Sequence, residues 1–317
     1  MRFRFIISEI ENQFFFISNL SEWHFSCRRQ YNTDWLKQSG VLTKSELSAI
    51  KRFSQIMKKH GFRFKKGQPQ YLGRPFFDHQ EAKKWPRVRK FLSPDEYIEV
   101  KRIFAELEPR FDKIWRKEKL DTWKKKLQRK ITNRPITLLI KDMERFLGAS
   151  PRRSINVHLI AAPTKKRTAA GGANLGPTDI TLEVPIYELN GWNLDYAIAI
   201  IIHEFVHLQI ETTRISKLID VALRQMRQPK DLFKEMIVNV IAPYGFLCQK
   251  YFKEYKPIED ILLPALIGSP VTLRQTTKEK KLAWLAYPLT NDYIKTGKRI
   301  DRRYIDKYLK MVSICNS

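Results

Sequence analysis

Ala197-Ile198-Ala199-Ile200-Ile201-Ile202-His203-Glu204-Phe205-Val206-His207-Leu208 is the stretch that decides how this chain is read. The run is apolar except for two histidines and a glutamate. Asn190-Gly191 marks a break before it, and Asn193 or Asp195 is placed to cap a helix from about Leu194 to Thr213. A helix so apolar all round belongs inside a protein. Two imidazoles and a carboxylate are costly there unless something satisfies them. His203 and His207 are four residues apart, so their rings project from one face, one turn apart, and can grip a single ion. Zinc bound this way makes water acidic enough to act as a nucleophile at neutral pH. Glu204, beside the pair, is suited to take the proton from that water and pass it to the leaving group.

Working outward, Ile155-Asn156-Val157-His158-Leu159-Ile160 and Asp179-Ile180-Thr181-Leu182-Glu183-Val184 alternate as two strands. Between them lies the glycine-rich stretch Ala169 to Pro177. Beyond the motif the chain reads as mainly helical, with loops near Pro229, Pro243 and Gly268-Ser269-Pro270.

Upstream of Pro151 the pattern is different. Arg2 to Ile10 followed by Glu11-Asn12-Gln13 and apolar Phe14 to Ile17 predicts a small β-hairpin. Leu47, Ile50, Phe53 and Met57 predict a helix from about Thr43 that stops at Gly61, and Gly67, Pro69, Gly73 and Pro75 mark a loop. Ser93-Pro94-Asp95-Glu96 is a helix start, with a hydroxyl cap, a first-turn proline and two acids facing the positive end of the helix dipole. That helix is expected to reach Glu108, with Pro109 opening a second, very basic one to about Lys130. Pro135 to Leu147 makes another, ended by Gly148. Residues 43–148 thus read as all-helical, and the chain as a hairpin and basic helical region over 1–148 followed by a catalytic domain over 149–317.

The motif and the strands before it resemble the H-E-x-x-H metallopeptidases of the zincin type, over roughly residues 150–245. The resemblance implies an α+β catalytic domain with a small sheet beside the motif helix, an edge strand that holds an extended substrate, and zinc as cofactor. A metzincin ending would need glycine at 210 and histidine at 213, where this chain has Ile210 and Thr213. No histidine follows His207, so a carboxylate is expected as third ligand. Glu211 lies about 12 Å along the axis from His203, too far to share one ion on a straight helix. Asp220 is a further alternative. Glu235 is the preferred ligand, which is similar to the gluzincin arrangement. That arrangement usually has an aspartate four residues later to orient a zinc-bound histidine; here Asn239 stands in its place. Lys234 and Val238 also depart from the thermolysin-like form. For the oxyanion, Tyr287 is the candidate donor, with Tyr244 and Tyr293 as alternatives.

Over its 317 residues the chain carries a formal charge of +26, with pI near 10.0. Such a balance draws a protein toward polyanions. Trp85, Trp115 and Trp123 sit among lysines and arginines, as in grooves that bind single-stranded nucleic acid, or as the apolar stripe of amphipathic helices. The second function class is therefore a nucleic-acid-associated binding protein whose H-E-x-x-H is structural or vestigial. Cys27, Cys248 and Cys315 show no paired spacing and read as incidental thiols. Neither a secretory leader nor a membrane span is evident, so a cytoplasmic protein is expected.

Overall fold

The computed structural model describes residues 2–24, 27, 29–60, 62–65, 68–148, 154–163, 171–172, 178–186, 194–211, 214–226, 237–238, 286 and 288–314. The protein is α+β and mainly helical. Its chain divides into two compact units, one of residues 1–3, 127–155 and 193–317, the other of 4–126 and 156–192. The expected boundary at 148/149 falls inside the first of these. No helix among the described residues is long and apolar enough to cross a membrane.

The opening differs from the predicted hairpin. Only Arg2–Ile6 is a strand (β1), and Glu9–Ser21 is a helix (α1). Ser8 caps it by accepting from the Glu11 amide at 3.3 Å. The helical period is hidden because both apolar and polar faces are buried: Phe14, Phe16 and Ile17 are covered, and so are Glu11, Asn12, Gln13 and Asn19. Each of Asn12, Gln13 and Asn19 bonds to backbone; Asn12 accepts from the Ala161 amide at 2.6 Å and donates to the Leu159 carbonyl at 3.1 Å. Buried polar groups survive when bonded in this way, so polarity along α1 does not report exposure.

Arg29–Ser39 (α2) and Lys44–His60 (α3) follow. Ile50, Phe53 and Met57 are buried as expected, whereas Leu47 is 53% exposed. The all-helical expectation is corrected by an antiparallel pair, Phe62–Lys65 (β2) with Gln68–Tyr71 (β3). After two short 3-10 turns and Lys84–Arg89 (α4), the helix Pro94–Ile114 (α5) begins in a capping box between Ser93 and Glu96. It does not end at Glu108. Pro109 lies inside it, because Val100, Ile103, Phe104, Leu107, Phe111 and Ile114 form one continuous buried stripe. Burial of Phe111 and Ile114, about 1.5–3 kcal/mol each, offsets a proline penalty of about 3 kcal/mol. The basic helix therefore starts later, as Lys117–Ile131 (α6). Phe14 stacks on Phe76 at 4.3 Å and Phe76 on Phe104 at 5.4 Å at the centre of this core.

Ser154–Ala162 (β4), Gly171–Gly172 (β5) and Asp179–Pro185 (β6) join β1 in a sheet of order β1-β4-β6-β5. β4 and β6 are parallel, with His158 opposite Thr181, and β5 lies antiparallel on the β6 edge. β4 alternates in sequence yet is buried on both faces over almost its whole length, as central strands of covered sheets are.

In the other unit, Arg134–Leu147 (α7) ends at Gly148, whose φ of 61° is the left-handed cap glycine adopts readily. A side chain here would be strained by that φ and would touch Arg299. Leu194–Glu211 (α8) packs against α7 and against Arg214–Met226 (α9), which in turn meets Arg302–Ile314 (α10).

Arg110 is the main polar tie of the helical core. Its Nε and Nη2 donate to both carboxylate oxygens of Glu46 at 2.7 Å, and its remaining donors reach the carbonyls of Ser39, Gly40 and Val41 between α2 and α3. Hydrogen bonds from Arg110 hold the Glu46 carboxyl well below its ordinary 4.5, at about 2. A depressed carboxyl stabilises the fold above its unfolded value and stops doing so as pH falls through the folded one. Urea midpoints measured from pH 5 down to pH 2 are therefore expected to fall more steeply for the wild type than for Arg110→Met. Parallel slopes would show that the pair contributes nothing in that window.

Candidate metal site

α8 is enclosed along its length, with Ala197, Ile198, Ile201, Ile202, Phe205, Val206 and Ile210 buried. The Phe3 ring meets Phe205 edge-on at 6.3 Å. His203 is half-buried, while Glu204 and His207 are 8% and 9% exposed. The helix thus brings its polar residues to a place that is nearly dry but still reachable from one side, where electrostatic interactions are strong.

The two imidazoles converge. His203 Nε2 and His207 Nε2 are 3.2 Å apart, with ring planes at 67°. Nitrogens so close share a proton or a cation. In a tetrahedral zinc site, with Zn–N of about 2.0–2.1 Å, two ligand nitrogens are about 3.3 Å apart. The separation of the pair, 3.2 Å, is close to that edge, so the two histidines match the spacing zinc requires of neighbouring ligands. Among the described residues no third histidine, cysteine, aspartate or glutamate joins them in a group able to hold a metal. Asp220, one of the alternatives, is half-buried on α9 and is not part of such a group.

Glu235, Asn239, Tyr244 and Tyr287 lie outside the described residues, and Glu211 is described in its backbone alone. Ile237 and Val238, just after Glu235, are helical and fully buried. Tyr293 is buried and donates to Asp301 at 3.2 Å, and burial with the nearby Asp301 charge raises its hydroxyl pKa. It is a packed tyrosine held by its own partner.

Comparison with protein-family models, curated proteins and solved structures finds no match to this chain. The site therefore stands on its own geometry.

A second group of ionisable residues was not legible as a cluster in the sequence. Glu11, Lys84 and His158 are completely enclosed in the unit built on α1 and the sheet. Lys84 Nζ donates to Glu11 at 2.6 Å, to Ser8 Oγ at 2.5 Å and to Glu81 at 2.9 Å. His158 places Nδ1 3.0 Å from the same Glu11 oxygen and Nε2 3.2 Å from Asp179. Burial works to lower the imidazole pKa, but the hydrogen bonds to Asp179 and Glu11 outweigh it and leave it raised. Both ring nitrogens thus face carboxylates, the arrangement that favours the doubly protonated, charged ring. The one sequence signal was a histidine on a strand that is buried on both sides. The enclosure marks this cluster as the tie between α1, α4, β4 and β6.

The tryptophans also resolve. Trp123 is 1% exposed, Trp115 stacks on Phe111 at 5.4 Å, and Trp85 meets Phe76 and Phe104 edge-on. Trp123 belongs to the buried stripe of α6, while Trp85 and Trp115 pack, half-buried, against the helical core. Cys27 is half-buried and donates to the Ser18 carbonyl at 3.2 Å, its thiol pKa pushed up by burial.

Proposed function

We propose that this protein is a zinc-dependent metallohydrolase of the zincin type, gluzincin-like, that cleaves peptide bonds. The observation that supports it is the pair of Nε2 atoms 3.2 Å apart on a buried helix, next to a buried glutamate. In this reading His203 and His207 hold the ion through neutral ring nitrogens, and Glu235 completes the set with a carboxylate oxygen. When bound, zinc supplies Lewis acidity and makes hydroxide available near neutral pH. Glu204 removes a proton from the attacking water at its carboxylate and returns it to the leaving amine. Tyr287 donates from its hydroxyl to the developing oxyanion. The expected substrate is a peptide or protein, and the expected compartment is the cytoplasm.

The test is zinc content together with hydrolysis. Purified protein is expected to hold one equivalent of zinc and to hydrolyse a mixed peptide pool. His203→Ala should lose both while circular dichroism stays unchanged. Wild-type protein that carries no stoichiometric zinc after purification with zinc present, and a His203→Ala variant that behaves identically, would refute the reading. The binding-protein alternative would then be favoured.

A further inference from the structure

We infer that α6 is a docking face for the phosphate backbone of double-stranded nucleic acid. The helix divides its surface sharply. Leu120, Trp123, Leu127 and Ile131 are buried, and they recur at the three- and four-residue spacing of one stripe. Around that stripe stand Lys117, Lys119, Lys124, Lys125, Lys126, Arg129 and Lys130, against only Glu118 and Asp121. Lys117, Lys125, Lys126 and Arg129 are exposed.

The neighbouring helices pair part of their charge. Arg102 is bound to Glu99 and Glu106 on α5, Arg52 of α3 reaches the same two acids, and Lys59 pairs with Glu96. Lys44, Lys51 and Lys58 of α3 and Lys101 and Lys113 of α5 have no ion pair among the described residues, but α6 gathers more such cations on one helix: Lys117, Lys119, Lys124, Lys125 and Arg129. A concentration of unneutralised charge on one straight element is the footprint of a polyanion.

Which polyanion follows from what the aromatic residues do. Single strands are held by bases stacked on exposed rings. Trp123 is enclosed, with Lys126 Nζ over its ring at 4.8 Å, and Trp115 is stacked on Phe111. α6 therefore offers charge without stacking. An anionic membrane is disfavoured for a related reason. A helix that lies in a bilayer surface inserts its apolar face, and the apolar face of α6 is already covered. From Lys117 to Arg129 the helix rises about 18 Å. That matches the axial span of about five phosphates on one strand of a duplex.

The experiment is fluorescence anisotropy with a labelled 20-base-pair DNA duplex, titrated at several salt concentrations. About four or five neutralised phosphates predict a slope of log K against log salt near −4. Affinity should then fall about 250-fold between 50 and 200 mM salt. The triple variant Lys117→Gln, Lys125→Gln, Arg129→Gln changes exposed positions only. It is expected to reduce the magnitude of the slope by about 2.7. Lys44→Gln, Lys51→Gln, Lys58→Gln removes the same charge from exposed positions of α3 and should leave the slope near its original value. Equal weakening by both triples would assign binding to net charge and overturn the proposal. So would the absence of duplex binding, retention only on phosphatidylserine vesicles, or a preference for single strands that survives the α6 substitutions. None of these readouts involves zinc or hydrolysis, so this surface and the metal site are tested independently.

Discussion

Glu204→Gln is expected to retain zinc at the wild-type level and to lose hydrolysis by a factor of about 10² to 10⁴, the usual contribution of a positioned general base. The substitution keeps size and hydrogen-bonding capacity but takes away the basic oxygen. Glu204 is 8% exposed on α8 and His203 and His207 are its neighbours on that helix. A neutral amide at the same place removes no ligand, so metal content and Tm should stay near those of the wild type. The expected kinetic form is a fall in kcat with KM little changed, because a proton acceptor acts in the transition state rather than in substrate binding. Metal analysis, a thermal melt and initial rates on one preparation check the three statements together. Unchanged hydrolysis in a zinc-loaded Glu204→Gln protein would remove the general base from the proposed mechanism. Loss of zinc alongside activity would instead make Glu204 part of the metal's surroundings.

Glu11→Leu is expected to destabilise the fold by about 3–5 kcal/mol, the cost of leaving buried charge without its partner. Glu11 receives Lys84 at 2.6 Å and lies 3.0 Å from His158, all three with side chains completely enclosed. Removing the carboxylate takes one buried partner from each of two cations at once, leaving Lys84 with Glu81 and Ser8 and His158 with Asp179. The paired replacement Glu11→Leu with Lys84→Met should recover part of the loss, since an apolar pair leaves less charge behind. Chemical denaturation of the three proteins measures this directly, and a Glu11→Leu midpoint equal to wild type would dismiss the cluster as a stabilising tie. The same group predicts an alkaline limit. The raised His158 pKa means that its contribution is full below its ordinary value of 6.5. It is lost as pH climbs through the higher folded value. Wild-type stability should therefore decline as pH rises above 6.5, and His158→Gln should flatten that decline. A wild-type decline equally steep in His158→Gln would place its cause elsewhere.

Legibility in the sequence followed how each element meets the rest of the protein. α3, α7 and the start of α5 were readable because each is covered on one side only, so that Phe53 and Met57, or Leu139 and Met143, recur at helical spacing. Ser93 and Gly148 mark their own ends through bonds formed within a few residues. α8 was readable for a different reason, its length of unbroken apolar sequence, and the four-residue interval of His203 and His207 sufficed to put both rings on one face. Each of these is a short-range property, and short-range properties are written in the order of residues.

What the tertiary structure decided is where polar residues are buried and where local rules are overridden. Glu11, Asn12 and Gln13 look like a turn in sequence. They become the inner face of α1 because Leu159 and Ala161, 147 and 149 positions away, supply partners for Asn12. Pro109 stays inside α5 because Phe111 and Ile114 continue a stripe whose other side belongs to distant elements. His158 is drawn inside by Glu11 from α1 and Asp179 from β6. The sequence alone therefore determined the histidine pair on one helix face and the helices that are covered on one side. Tertiary structure set the converging 3.2 Å approach and the enclosed ion cluster. A buried charge or a helical proline is tolerated only through groups brought from far along the chain, and no local pattern encodes their arrival.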